Sequence, residues 1–108
     1  MKAIPQTFGA VEIITFKLNN CTCQQFIAAN DDVDAFLKGQ QGFVSRSILE
    51  LKSGSITDML VWDTVESGTN AIHKLMSELS DSPVHSMIDQ STVSWSITPI
   101  AHYIKQTG

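Results

Sequence analysis

Asp58 and Trp62 stand four residues apart in the apolar run SITDMLVW, Ser55 to Trp62. Side chains at even spacing along a strand leave the same face, so the two would project together. A carboxylate beside an indole in apolar surroundings holds its proton more tightly than in water and can serve as the base for a phenol. Two plainer roles compete: Trp62 as core, and Asp58 capping a loop or pairing with Arg46 across a hairpin. His85 follows Ser82-Pro83-Val84, one step off the apolar set Val84, Met87 and Ile88. Asp89, four residues on, could orient its ring for acid–base work; otherwise His85 is a surface or helix-capping histidine. His73 sits at the edge of the stripe Ile72, Leu75, Met76 and Leu79, where it reaches either a pocket, as a substrate contact, or solvent.

Other groupings exclude chemistries. Cys21 and Cys23 are one residue apart, too close to close a useful disulfide loop, and two thiolates so placed rarely hold one ion. No His or Cys pair completes a four-ligand set, so free thiols and no metal are expected. Asp31, Asp32 and Asp34 lack the Gly and distal Glu of a calcium loop and read as a solvated helix face. No phosphate-cradling Gly-rich loop and no nucleophile with a sequence-marked base appears. Seven Lys plus Arg against eleven Asp plus Glu give a net charge of −4, with the basic residues scattered, which argues against nucleic acid as a partner. No apolar run approaches the ~18 residues of a membrane span. The first residues, Met1 to Thr7, carry no apolar signal-like stretch, and the expected compartment is the cytoplasm.

The elements that must position these residues follow from periodicity. Over Gly9 to Leu18, Ala10, Ile14, Phe16 and Leu18 share one parity and Val11 and Ile13 the other, as in a central strand with both faces partly covered. Thr22 and Gln25 form a capping-box pattern that starts a helix running from about Cys23 to Lys38, with Phe26, Ile27, Val33, Phe36 and Leu37 as its stripe and Gly39 and Gly42 as its stop. Phe43–Leu51 and Ile56–Asp63 flank the turn residues Lys52 to Ser55, which predicts a hairpin. A second helix spans about Glu66 to Leu79, and Ser82-Pro83 opens a short turn. From Ser91 a last strand sets Val93, Trp95 and Ile97 on a core face, with Pro99 marking an edge or bulge. Ser45, Ser47, Ser94 and Ser96 either line a cavity or face solvent, and His102 and Tyr103 fall on opposite faces of the last strand.

The order is β-α-β-β-α-β in a single domain over 1–108, the ferredoxin-like α+β plan with an antiparallel sheet and two helices on one face. Two helices cover only one face of such a sheet, while the first strand is apolar on both. A homodimer through the open face is therefore expected.

The opening strand VEIITFKL, the stretch KGQQGFVSRSIL (Lys38 to Leu49), the strand SITDMLVWDTVES (Ser55 to Ser67) and Ser82-Pro83-x-His85 resemble the dimeric α+β barrel superfamily, and within it the antibiotic biosynthesis monooxygenase-like domains. The resemblance spans roughly Val11 to Tyr103. It implies a homodimer whose subunits each hold a pocket between sheet and helices, and an enzyme that oxidises a small phenolic or quinol-type compound with O₂ and no cofactor. It also implies that Trp62 lines the pocket and that Asp58 takes the place of an Asn used in catalysis. Haem-degrading members expect an Asn on the first strand, and Val11 to Leu18 contains none. The competing expectation is a non-catalytic dimeric protein that binds a small molecule or serves in stress.

Overall fold

The computed structural model describes residues 8–106. Met1 to Thr7, on which the expectation of a cytoplasmic compartment rests, lie outside the described residues. Strands β1 (Ala10–Leu18), β2 (Phe43–Glu50), β3 (Ile56–Trp62) and β4 (Ile88–Pro99) form one antiparallel sheet in the order β2-β3-β1-β4. This is the expected ferredoxin-like arrangement, with β1 and β3 central and β4 at an edge. Gly54, at a φ of 89°, closes the β2–β3 hairpin in a left-handed conformation that a side chain would strain.

The first helical stretch is two helices, not one: α1 (Cys23–Ala28) and α2 (Asp31–Lys38). Thr22 starts α1 as expected, its hydroxyl accepting from the Gln25 N–H at 3.1 Å while the Gln25 side chain accepts from the Thr22 N–H at 2.9 Å. The break falls at Asn30, whose side-chain amide donates to the Phe26 carbonyl at 2.7 Å. Such local bonding competes with the helical ladder, and the chain re-enters a helix at Asp31. Asp31, Asp32 and Asp34 occupy the first turn of α2 and Lys38 its last, each favourable to the helix dipole. Ile27, within α1, is exposed and does not join the apolar stripe.

Helix α3 (Val65–Glu78) and the single turn α4 (Val84–Met87) complete the layer on one face of the sheet. A Cβ on Gly68 would stand 2.5 Å from Ile97 Cδ1 and 2.8 Å from Trp62 Cδ1, so α3 approaches the Trp62 indole this closely only with glycine there. The core joins Phe16, Ile56, Leu60 and Trp62 of the sheet to Phe26, Val33, Leu37 and Ala71 of the helices. No helix among the described residues is long and apolar enough to cross a membrane.

Strand β4 begins at Ile88, three residues earlier than expected, and pairs with β1 through an irregularity near Lys17. Its Val93 and Trp95 share the helix-side face with Ile97 but are 41% and 44% exposed, because β4 is an edge that the helices only partly cover. Ser45, Ser47, Ser94 and Ser96 lie on the opposite, open face. His102 and Tyr103 lie past the end of β4 in an exposed irregular segment, which corrects their assignment to a strand.

Candidate functional site

Between the sheet and the helices lies a cavity of about 350 Å³, at the lower end of the range for small-molecule sites. Its walls are apolar, with Ile14, Phe16 and Leu60 on the sheet side and Val33, Leu75 and Met76 on the helix side. The polar groups that line it are few.

Chief among them is Glu12, a residue 1% exposed on the central strand. Register explains its contacts. Glu12 stands opposite Leu60 on β3 and Ile97 on β4, so Trp62 and Trp95 are its diagonal neighbours on the same face, within reach of long side chains. The Trp62 indole N–H donates to Oε1 at 2.8 Å and the Trp95 indole N–H donates to Oε2 at 2.7 Å. Burial raises the Glu12 pKa above its ordinary value; the indole hydrogen bonds from Trp95 and Trp62 oppose this, the nearby Asp58 charge reinforces it, and Arg46 opposes it.

Trp62 is buried as expected and lines the cavity. Phe43 packs edge-on against it, with centroids 5.4 Å apart and planes at 71°. Asp58 shares its face and also lines the cavity, but its carboxylate is taken by Arg46: Nε donates to Oδ1 at 3.0 Å and Nη2 to Oδ2 at 2.7 Å. The cross-hairpin pairing weighed against a catalytic role is therefore what the fold adopts. Arg46 further donates from Nη1 to Asp34 at 2.9 Å and from Nη2 to the buried Asn30 Oδ1 at 2.9 Å. Burial works against the Arg46 charge, but the hydrogen bonds and charges of Asp58 and then Asp34 outweigh it and raise the pKa.

His85 lines the cavity, half-buried. Its ring is oriented by the Leu79 carbonyl, 2.8 Å from Nε2, and not by Asp89, whose carboxylate bonds Ser91. A carbonyl only accepts, so Nε2 is the donor in this contact. His73, expected to reach either a pocket or solvent, is exposed and does not line this cavity, whose wall on α3 is formed by Ala71, Ile72, Leu75 and Met76. Among the described residues no group of three or more His, Cys, Asp or Glu is placed to hold a metal ion. Cys21 and Cys23 are free thiols at the far end of β1 and take no part in this cavity.

Glu12 is the residue that strand periodicity passed over. It occupies the parity of Ala10, Ile14 and Phe16, and an acid on the apolar parity of a central strand was the available signal. The cavity is thus an apolar chamber with two indoles in its wall and two buried carboxyl groups, Asp58 paired with Arg46 and Glu12 held by the indoles.

No family model matches the chain, and no curated protein matches it in sequence. Solved structures do match it in fold. SnoaB, a cofactor-independent oxygenase from Streptomyces nogalater, aligns over 92% of this chain and 95% of its own at 16% identity and a TM-score of 0.66. The monooxygenase of the gene ActVA-Orf6 of Streptomyces coelicolor, in complex with nanaomycin D, aligns over 92% and 93% at 16% identity and a TM-score of 0.65. A dimeric ferredoxin-like protein from an uncultured marine organism aligns over 94% and 95% at 9% identity and a TM-score of 0.69. At such identities the likeness shows a shared fold.

Proposed function

We propose that the protein is a cofactor-independent monooxygenase-like enzyme that takes a small phenolic or quinol-type aromatic compound into the cavity between sheet and helices. The observation that carries this reading is a buried carboxyl group held between two indoles in an apolar chamber. An electron-rich aryloxide or enolate can itself react with O₂, so the protein need only bind it, take its proton and keep oxygen close. For a ring CH₂ between aryl groups, O₂ adds to carbon and the hydroperoxide loses water, leaving a carbonyl. Support comes from the fold shared with a cofactor-independent oxygenase and with a monooxygenase that binds nanaomycin D. Trp62 shapes the pocket, His85 handles protons, and Asp58 acts through the Arg46 pair that it anchors.

The test is oxygen consumption by the metal-stripped protein with hydroquinones, anthrones and naphthols, after subtraction of autoxidation in buffer. Catalysed uptake is expected, falling by about a hundredfold in His85→Ala, the scale of a lost acid–base group. Uptake no faster than buffer across the panel would replace the enzyme with a binding protein, the reading that the engaged Asp58 carboxylate favours.

The protein is also proposed to act as a homodimer. The sheet face turned away from the helices carries Val11, Ile13, Leu49, Met59 and Val61, with Ile13 and Leu49 exposed. An apolar face of this kind is stabilised when a second copy covers it. Light scattering at micromolar concentration should give twice the chain mass, and Ile13→Lys should give the single-chain mass; a monomeric parent would refute the assignment.

A further inference from the structure

We propose that Glu12 makes the cavity selective for uncharged hydroxyaryl ligands, whose O–H it accepts as hydrogen-bond donor and proton source, over aryl carboxylates of the same ring size. The proposal rests on the aromatic cavity of the preceding reading and is independent of its oxygen chemistry.

The argument is one of donors and acceptors. An ionised carboxylate offers about four acceptor positions. Trp62 and Trp95 take one on each oxygen of Glu12, which leaves acceptor capacity for a ligand. A hydroxyl brought to it makes a charge-assisted bond, roughly twice as strong as a neutral one. If the proton crosses, the ligand O–H breaks as the Glu12 O–H forms, leaving an aryloxide and a neutral carboxyl with the total charge unchanged. No further reactant is needed.

An anionic ligand meets the opposite situation. Arg46 is the one arginine or lysine among the described lining residues, and a guanidinium has only five N–H donors. Four of its hydrogen bonds already go to Asp58, Asp34 and Asn30. The His85 Nε2 proton is committed to Leu79. A carboxylate ligand would therefore sit beside Glu12 with one guanidinium N–H left to offset its charge, in surroundings where charge repulsion is weakly screened.

The groups that face Glu12 and titrate or carry charge are Asp58 on β3, Arg46 on β2 and His85 on α4; α1, α2, α3 and β4 present no titratable side chain to the cavity. Because burial raises the Glu12 pKa, lowering the pH should neutralise it while an aryl carboxylate is still ionised, and selectivity should fade over that interval.

Binding of 2-naphthol and 2-naphthoate, which share the same two rings, is measured by calorimetry on the full-length protein and on Glu12→Gln, with folding of each checked by circular dichroism. Near neutral pH the parent should bind 2-naphthol at least about tenfold more tightly, and Glu12→Gln should shrink that ratio by about tenfold. The parent ratio should also shrink on acidification, whereas the variant, which keeps His85, should change little. An equal ratio in both proteins, a parent preference for 2-naphthoate, or a parent that binds neither ring overturns the proposal. If Glu12→Gln does not fold, the acidification series on the parent decides alone. Selective binding without oxygen uptake leaves Glu12 selectivity standing and removes the oxygenase reading; oxygen uptake with an unchanged ratio does the reverse.

Discussion

Arg46→Met is expected to destabilise the protein by about 3–5 kcal/mol, the cost of leaving a buried charge without its partner. The Asp58 side chain is 7% exposed and receives two hydrogen bonds from Arg46, so the substitution strands a carboxylate against the cavity wall. The buried Asn30 Oδ1 loses its donor at the same time, and with it the tie between the α1–α2 break and the sheet. The bond to Asp34 adds little, since that carboxylate is half exposed and solvent screens it. In a chain of this length the melting temperature should fall by more than roughly 10 °C. Arg46→Met combined with Asp58→Leu should lose less than Arg46→Met alone, because both charges leave together. Thermal denaturation of the three proteins checks this. A single variant as stable as the parent would mean that water or a rearranged neighbour satisfies Asp58, and that the hairpin pair does not organise the cavity wall.

Trp62→Ala is expected to cost a similar ~3–5 kcal/mol, through lost burial and the space left behind. The indole is 1% exposed, packs against Phe43 and lies under Gly68 of α3, a position from which neither helix nor strand can close in without moving the other. Trp62→Phe separates shape from hydrogen bonding. It keeps most of the ring but leaves Glu12 Oε1 without its donor, so the loss should be smaller, about 1–3 kcal/mol. Binding of 2-naphthol, measured alongside denaturant unfolding, should weaken in both variants. Unchanged stability in Trp62→Phe would indicate that the Trp62 hydrogen bond contributes nothing beyond ring packing.

Much of the frame was legible in local patterns. The order of elements, the Thr22 capping box, the hairpin at Gly54 and the shared face of Asp58 and Trp62 each follow from spacings of four residues or fewer, and all are present. The break at Asn30 was not legible, because a continuous apolar stripe from Phe26 to Leu37 permits one helix. What decides against it is an amide that bonds Phe26 on one side and Arg46, sixteen residues away, on the other. The orientation of His85 escaped for a related reason: Asp89 is near in sequence, but the Leu79 carbonyl is where the turn carries the ring.

Sequence alone therefore determined the ferredoxin-like plan and which residues share a strand face, since alternation and capping are local properties of the chain. Only the tertiary structure decided how each acid is held, Asp58 in an ion pair with a guanidinium and Glu12 by two neutral indoles. Asp58 is engaged because β2 sets Arg46 beside it, and Glu12 becomes the buried carboxyl of the cavity because β1 lies between β3 and β4, bringing together indoles 50 and 83 residues away in the chain. Strand order is a long-range choice, settled by how the apolar faces pack and not by any local spacing, and it is this choice that makes the site.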